Sequence, residues 1–501
     1  MRNKLHIATF LLIATVAGFL AAPAALGEPP TRDAILATMQ RATDFAFNTL
    51  ANRGGFVWLY TMELEPYGEL KARPSMIWVE PPSTPSVGIM LLDAHRATGD
   101  AYYLEQARKV AEALAWGQHP SGGWHYFIDF DPAGVENYYD TFFTKCWGWQ
   151  EYLKKRKNCT FDDYTTTEPT RFFLRLYDTT KDPAHKAVLD KALGHILRAQ
   201  YANGGWPQRY PIDPEHPDYS ACATLNDDVT LDCILVLLEA HERLGNAEYL
   251  AAARNGMDFY VRAQLPAPQA GWAQQYDADL KPAWGRPFEI ATVCAPQTHT
   301  CVLDLFRFYA ITGDKKYLEP VPKALEWLDS ARVPGAEGFT HTCYNETGTN
   351  RPIYILQTGT TVDDVAYTPT YEEKGCYPYS PRLTIPVDDL RKEYERLAAL
   401  SPEAAREEGF RNEHSKELPQ YLRGIHMVKA LSLTQQTPEG LAAIVESLDE
   451  RGGWRDEVSL LDPFQPFTKP PRVVTAYTIG GYIARMDRLI NELNAQNAAE
   501  K

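Results

Sequence analysis

Two segments near the middle of the chain contain residue types that suit the binding of a charged sugar. Residues 203–211 read NGGWPQRYP, and residues 225–231 read LNDDVTL. The side chains of interest in them are Trp206, Gln208, Tyr210, Asp227 and Asp228. Aromatic faces suit the packing of sugar rings, and carboxylates suit a hard cation such as Ca²⁺. The two segments therefore predict a site for an anionic sugar.

The two adjacent acids also have a plain structural interpretation. Acidic residues often cap the free N–H groups at a helix start, and the apolar run at residues 229–238 predicts a helix after Asp228. Two adjacent side chains cannot both cap one helix end, so one of them remains available for binding. A similar stretch at residues 160–166 contains Asp162 and Asp163, for which helix capping is the prediction.

A glycine–aromatic pattern recurs along the chain and indicates the elements that position these residues. It occurs at residues 54–56, 122–124, 204–206, 271–272, 338–339 and 452–454. Helix-end signals recur at residues 98–100, 244–246 and 312–314, where glycine ends one amphipathic segment and Asp or Asn begins the next. One helix pair cannot bury its apolar face alone. The pattern therefore predicts an all-α fold, an incomplete or (α/α)6-like α/α toroid with its glycine–aromatic loops at one end.

The two ends of the chain differ from the repeats. Residues 1–27 combine a basic start, an apolar run and small residues before position 28, which is typical of a secretory signal peptide. We expect a secreted or periplasmic protein without a membrane anchor. The toroid is predicted over residues 28–400. Residues 401–501 are predicted to complete or cap it, through helices at 416–433 and 474–493 and a proline-rich crossing at 461–472.

Charge and cysteine usage narrow the function classes. The net charge of −15 argues against a nucleic-acid partner. It does not exclude an acidic polymer, because a bound divalent ion and a few arginines can invert the field inside a cleft. The eight cysteines include no CxxC pair. The close pairs 146/159, 222/233 and 294/301 are either disulfides or free thiols, and the sequence does not choose between them. It also leaves the oligomeric state open.

Five motifs occur in an order that resembles a known family. They lie at residues 203–208 (NGGWPQ), 226–228 (NDD), 271–277 (GWAQQYD), 281–289 (KPAWGRPFE) and 348–354 (GTNRPIY). Each motif alone is weak, but their order and spacing over residues 155–385 resemble the pectate lyases of polysaccharide lyase family 10. The resemblance implies Ca²⁺-assisted β-elimination on polygalacturonate or a related uronate polymer.

The resemblance also implies roles for individual residues. Asp227, Asp228 and Asp277 are the expected Ca²⁺ ligands, and Arg351 is the expected base. The expected substrate-binding residues are Arg286, Glu289, Trp206, Gln208, Tyr210, Trp272 and Arg382. Because the ordinary pKa of arginine is at least 12.5, an arginine base predicts an alkaline pH optimum.

Each of these roles has a structural alternative. Asp277 is also typical of a surface turn, and Arg351 of an ion-paired loop. Arg286 could pair with Glu289, three residues along. Tryptophans behind glycines often anchor a loop on the core.

The chain departs from the family pattern around Arg351. The preceding residues 341–346 read HTCYNE where the family has Trp-Ala-Arg-Phe-Tyr-Glu, and residues 356–359 read LQTG where it has Arg-Asp-Gly. Loss of two arginines near the cleft would weaken uronate binding or shift the preferred oligosaccharide. Residues 28–150 lie outside the family core and are predicted to be additional toroid repeats.

The same residues are compatible with two other functions. An α/α-toroid glycoside hydrolase would use two carboxylates, for which Asp228 and Glu289 are the candidates. A catalytically silent uronate-binding protein on the lyase scaffold would keep the affinity and lack turnover. An unsaturated product distinguishes a lyase from both.

Overall fold

The computed structural model describes most of the chain outside its ends and several internal stretches. The described residues are 30–68, 71–131, 133, 158–212, 214, 218–333, 340–359, 366–374, 380–410, 440–460 and 471–499. The predicted signal peptide and the predicted helix at 416–433 lie outside them. Among the described helices, none is both long and apolar enough to span a lipid bilayer.

Helices dominate the described part of the chain. They are α1 (Arg32–Phe45), α2 (Thr84–Thr98), α3 (Ala101–Trp116), α4 (Thr167–Thr180), α5 (Pro183–Ala199), α6 (Val229–Leu244), α7 (Ala247–Ala263), α8 (Ala295–Thr312), α9 (Val321–Ser330), α10 (Val387–Ala398), α11 (Pro402–Phe410), α12 (Leu441–Glu446) and α13 (Ile479–Ala499). Consecutive helices form hairpins, and the first helices of successive hairpins, α2, α4 and α6, pack side by side. This arrangement confirms the predicted α/α toroid.

The helix-end signals read from the sequence occur as predicted. Gly99, Gly245 and Gly313 end helices α2, α6 and α8 in the left-handed conformation, with φ of 72°, 72° and 70°. Asp100 then caps α3 by accepting a hydrogen bond from the Tyr102 backbone N–H, and Asn246 caps α7 in the same way. Asp314 caps a short 3-10 turn instead, Lys315–Tyr317, which precedes α9. Each hairpin turn is therefore encoded locally.

Short strands connect the hairpins at the loop end. They are β1 (Leu59–Thr61), β2 (Pro66–Tyr67), β3 (Met76–Trp78), β4 (Phe127–Asp129), β5 (Cys159–Thr160), β6 (Arg209–Tyr210), β7 (Ala223–Thr224), β8 (Gln275–Tyr276), β9 (Val293–Cys294), β10 (His341–Thr342), β11 (Tyr344–Asn345), β12 (Pro352–Thr358), β13 (Ala366–Thr370), β14 (Arg382–Leu383), β15 (Arg455–Leu460) and β16 (Arg472–Thr478). The pairs β3–β4, β5–β6 and β7–β8 each link the start of one repeat to the end of its glycine–aromatic loop.

The tryptophans of the glycine–aromatic loops anchor those loops to the core. Each indole N–H donates to a carbonyl near the end of the preceding helix: Trp124 to Leu114 (2.9 Å), Trp206 to Ile196 (2.8 Å), Trp272 to Tyr260 (2.8 Å) and Trp454 to Ile444 (2.9 Å). Trp206 and Trp272 are fully buried. The prediction that they are exposed sugar platforms is therefore wrong. Their repeated position serves packing, because a large ring with one N–H can fill the core and satisfy a free helix-end carbonyl.

The last part of the chain closes onto the first. Strand β16 pairs with β1, with Leu59 opposite Thr478, and helix α13 packs against α1 and α2. The predicted closing helix at 474–493 is partly wrong, because residues 472–478 form a strand and the helix begins at Ile479. The β-branched and aromatic residues there, including Val473 and Tyr477, favour a strand that has partners on both sides. Most of the predicted crossing at 461–472 lies outside the described residues.

The cysteines that the structure describes are free thiols: Cys159, Cys222, Cys233, Cys294, Cys301 and Cys343. The pairs 222/233 and 294/301 are thus not disulfides. Cys146 lies outside the described residues.

Two glycines provide a test of how the loops are held. Gly204 and Gly245 both have positive φ (96° and 72°), but a Cβ on Gly204 would come within 2.2 Å of the Asn255 carbonyl oxygen, whereas a Cβ on Gly245 would meet nothing within 4 Å. We expect Gly245→Ala to lower the free energy of unfolding by about 1 kcal/mol through backbone strain alone. Gly204→Ala should lower it by considerably more, as measured by urea denaturation. Equal losses would contradict the close contact with Asn255.

Candidate active site

Arg286 lies at the centre of a cluster of three carboxylates. Its Nη2 donates to Asp162 Oδ2 (2.8 Å), and its Nη1 donates to Asp227 Oδ2 (3.0 Å) and Glu289 Oε1 (3.1 Å). The Arg286 backbone N–H also donates to Glu289 Oε2 (2.8 Å). The side chains of Asp162 and Glu289 are almost fully buried, whereas that of Asp227 is 29 % exposed. We call Arg286, Asp162, Asp227 and Glu289 the carboxylate–arginine cluster.

Two equivalent turns of successive repeats supply the aspartates of this cluster. Asp162 begins the 3-10 turn Asp162–Tyr164 before α4, and Asp227 lies in the 3-10 turn Asn226–Asp228 before α6. Left-handed backbone occurs in both turns, with φ of 49° and 62° at Asp163 and Tyr164 and of 53° and 55° at Asp227 and Asp228. Such φ values cost energy in any residue other than glycine, and they concentrate at functional sites.

The helix-capping interpretation of these acids does not hold. Among the described contacts, neither Asp228, the N-cap residue of α6, nor Thr166, the N-cap residue of α4, makes a side-chain capping bond. Instead, Asp228 accepts a hydrogen bond from the Tyr164 hydroxyl (2.6 Å), and Asp162 accepts one from the Tyr126 hydroxyl (2.5 Å). The two turns therefore exchange contacts with each other and with the loop of the preceding repeat.

Among the described residues, the cluster has more carboxyl groups than guanidinium groups. Three carboxylates face one guanidinium, so Arg286 is held as a cation. The pKa of Asp227 is raised well above its ordinary value, first because the surrounding protein removes water and then because Asp162 repels its charge. Arg286 opposes this rise. A further cation near Asp227 would oppose the rise in its pKa, as Arg286 does.

Several buried amide atoms near the cluster have no hydrogen-bond partner among the described residues. They are both side-chain amide atoms of Gln208, both of Gln275, and the Asn226 Oδ1. The Asn226 Nδ2 donates to Asp227 (2.9 Å) and Glu289 (3.4 Å), which places this residue directly against the cluster. Gln275 Oε1 lies against Gly285, next to Arg286. Unpaired buried polar atoms are rare in folded proteins, and they indicate space for water or a ligand.

The three predicted Ca²⁺ ligands do not come together as one group. Asp277 Oδ1 accepts the backbone N–H groups of Asp279 and Lys281 (both 2.9 Å), which is the turn role that was its alternative. Within the described ranges, no three or more acidic, histidine or cysteine side chains are arranged as a ready metal site. Asp227 and Asn226 Oδ1 nevertheless offer the oxygen donors that Ca²⁺ prefers, so a cation there would need water or a substrate carboxylate to complete its shell.

The predicted base, Arg351, has a different environment from Arg286. It lies just before β12, where its guanidinium stacks on the ring of Tyr371 at 3.6 Å. Tyr371 in turn donates a hydrogen bond to Glu346. In the part of the chain that the structure describes, Arg351 forms no ion pair and contacts none of Asp227, Asp228 and Asp277. The structure thus does not place Arg351, the predicted base, in the cluster that contains Arg286.

The remaining predicted substrate residues are placed as follows. Gln208 is buried next to β6, Tyr210 is half-buried against His195 (ring centroids 5.3 Å apart), and Arg382 pairs with Glu373 (2.7 Å) on β14. The sequence predicts helix capping for Asp162 and gives no sign that Tyr126 or Asn226 belongs to the site. The similarity between residues 160–166 and 224–230 was the signal that could have placed both turns at one site.

A buried ion-pair network lies below the two turns. Arg171 on α4 bonds to Asp232 (3.2 Å) and Glu239 (3.1 Å) on α6, and also to Glu168 on its own helix (3.1 Å). All four side chains are at most 1 % exposed. Burial raises the pKa of Asp232 to about 7, although Arg171 opposes the shift. The network joins the two helices whose first turns follow Asp162 and Asp227.

Residues 135–363, less than half of the chain, match the family model described as pectic acid lyase. The resemblance read from the five motifs is thereby confirmed over this stretch, which contains both Arg286 and Arg351. No curated protein matches the chain. The family match supports an enzyme that acts on polysaccharides and degrades them.

Several solved structures are similar to the chain. A family 10 polysaccharide lyase from Cellvibrio cellulosa is 17 % identical, with a TM-score of 0.37 over 54 % of this chain and 84 % of its own. A mutant of that lyase in complex with trigalacturonic acid is 16 % identical, with a TM-score of 0.37 over 54 % and 85 %. An α-mannanase of family GH76 from Bacteroides thetaiotaomicron is 10 % identical, with a TM-score of 0.42 over 93 % and 97 %. These values are too low for residue roles to be transferred.

Replacement of Arg286 tests the charge balance of the cluster. We expect Arg286→Gln to lower the free energy of unfolding by about 3 kcal/mol near pH 7, because three carboxylates lose their shared cation. Without that cation the pKa of Asp227 rises further above its unfolded value. The deficit should therefore shrink as the pH falls and the carboxylates of the folded state take up protons.

Arg351→Ala is the matched control, since Arg351 has no ion pair among the described residues. It should change the free energy of unfolding by no more than about 1 kcal/mol, both near pH 7 and near pH 4.5. Urea denaturation near pH 7 and near pH 4.5 measures both variants. A pH-independent loss in Arg286→Gln would contradict the electrostatic account.

Proposed function

We propose that this chain is a lyase that cleaves polygalacturonate, or a close uronate polymer, by β-elimination at the carboxylate–arginine cluster. The observation that carries the proposal is the contrast between two arginines inside the stretch that matches the pectic acid lyase family. Arg286 is held charged by three carboxylates, whereas Arg351 has no ion pair within the described residues. β-Elimination on a uronate needs a fixed cation and a proton acceptor, and this pair of environments suits those two tasks.

The fixed charge acts on the substrate carboxylate. Removal of the C5 proton of a uronate places negative charge on that carboxylate in the transition state. Arg286, held by Asp162, Asp227 and Glu289, cannot lose its proton at ordinary pH and keeps its orientation. It therefore stabilises the enolate without having to reorganise.

The proton acceptor is assigned to Arg351. Its guanidinium stacks on the ring of Tyr371 and forms no ion pair within the described residues. Its neutral form takes the C5 proton, the C4–C5 double bond forms, and the C4–O4 bond breaks with its electron pair on O4, which takes a proton from water. For this step Arg351 must reach the same uronate that Arg286 holds, because the proton removed and the carboxylate neutralised belong to one carbon atom.

Calcium is part of the proposal as the counter-ion of the cluster. A uronate adds a fourth carboxyl group beside the three described ones, and a divalent cation would offset the repulsion among them. Asp227, the most exposed of the three carboxylates, and Asn226 Oδ1 would hold it. Export of the mature protein, as expected from residues 1–27, would bring it to an extracellular polymer.

A glycoside hydrolase has less support from the same residues. Glu289 is almost fully buried and bonded to Arg286, and Asp228 is bonded to Tyr164. Neither carboxyl group is therefore placed as an available general acid.

Activity on de-esterified polygalacturonate tests the reaction type. We expect an unsaturated product, detected by its ultraviolet absorbance, with a rate that rises into the alkaline range because the base is an arginine. Arg351→Ala should abolish turnover and retain binding, whereas Arg286→Gln should weaken both. Saturated reducing ends without absorbance would instead establish hydrolysis. An optimum near pH 5 would exclude an arginine base.

Calcium binding provides a separate test. Since the described residues form no complete metal site, we expect Ca²⁺ alone to bind weakly and to bind at least tenfold more tightly when oligogalacturonate is present. Calorimetry on the Arg351→Ala protein avoids turnover during the titration, and Asp227→Asn should remove the tight component. Activity that persists unchanged in excess chelator would overturn the role of calcium.

A further inference from the structure

Two tryptophans are strongly exposed among the described residues, and they differ in their surroundings. Trp116 and Trp284 are each about half exposed, at 51 % and 50 %. The ring of Trp116 packs against Phe130 with centroids 4.9 Å apart, so part of its apolar surface is already covered. Trp284 makes no ring contact with any described residue. An exposed indole without a ring partner has an open face on which another ring can stack.

The backbone on both sides of Trp284 is fixed. The Ala283 N–H donates to the Gln275 carbonyl (2.9 Å), and the Gly285 N–H donates to the Glu289 carbonyl (2.8 Å). A Cβ on Gly285 would come within 2.4 Å of Glu289 Oε2 and 3.1 Å of Gln275 Oε1, so the chain passes closely over the cluster. Trp284 is therefore an exposed ring on a rigid backbone, which lowers the entropy lost on binding.

The position of Trp284 relative to charge indicates what its ring binds. It stands two residues before Arg286, whose side chain faces Asp162, Asp227 and Glu289. A sugar ring presents C–H groups to an aromatic face, and a uronate adds a carboxylate to its edge. An indole next to a guanidinium thus recognises the two features that define a uronate.

We propose that Trp284 is the stacking platform for a uronate ring at the carboxylate–arginine cluster, in the role that the sequence assigned to the buried Trp206 and Trp272. This inference rests on the proposed function. Trp284 lies on the loop between β8 and β9, so the sugar would stack outside the glycine–aromatic loops of the repeats.

The test separates binding from chemistry. On polygalacturonate, Trp284→Ala should raise KM about threefold to tenfold and leave kcat within about twofold, because stacking holds the substrate equally before and during the reaction. Trp284→Phe should restore most of the affinity. Trp116→Ala is the matched control and should change neither constant.

Three outcomes would overturn the platform: an unchanged KM in Trp284→Ala, an equal effect in Trp116→Ala, or a fall in kcat alone, which would mean that Trp284 only orients Arg286. If the native protein yields no unsaturated product, the proposed lyase function fails instead. Calorimetry of polygalacturonate binding to Trp284→Ala and to the native protein then still decides whether Trp284 binds the uronate.

Discussion

The ion pairs of Arg286 with three carboxylates are the constraint on which the proposed site depends. They join residues that are more than a hundred positions apart in sequence, since Asp162 and Arg286 meet directly. A charge this poorly hydrated is tolerated only when its partners are fixed, and here each partner is fixed by a different element. Asp162 and Asp227 lie in the turns that precede α4 and α6, and Glu289 lies on the same loop as the arginine. The site is therefore part of the packing of the repeats and not an addition to their surface.

The sequence predicted the fold better than the site, and the reason is physical. Helix ends depend on glycine and on short polar caps that lie next to each other in the chain, so residues such as Gly99 and Asp100 could be recognised locally. The strand at 472–478 could not be recognised locally. Its partners are β15 and β1, and β1 lies near the other end of the chain. The prediction for Trp206 and Trp272 is wrong for a related reason: an aromatic residue after glycine has the same sequence whether it faces the solvent or the core.

The residues of the site show the same limit. The pairing of Arg286 with Glu289 was one of two interpretations that the three-residue spacing allowed, and the structure shows it together with two further partners. Asp277 and Asp227 are both acids in motifs of the resemblance, but only the environment distinguishes a turn acid from a cluster acid. Asp162 was assigned to a local capping role because its long-range partner could not be seen. Charge–charge contacts across repeats are decided by tertiary packing, which single-sequence patterns do not contain.

The buried network around Arg171 has a consequence for substrate selection. Because this guanidinium is bonded to both α4 and α6, any sliding of one helix past the other would break buried ion pairs at both Asp232 and Glu239. The buried ion pairs thus fix the distance between the two acidic turns that precede these helices. Mutations in the loops can change which side chains contact a polymer. The distance between the two acidic turns depends instead on the helix packing in the core.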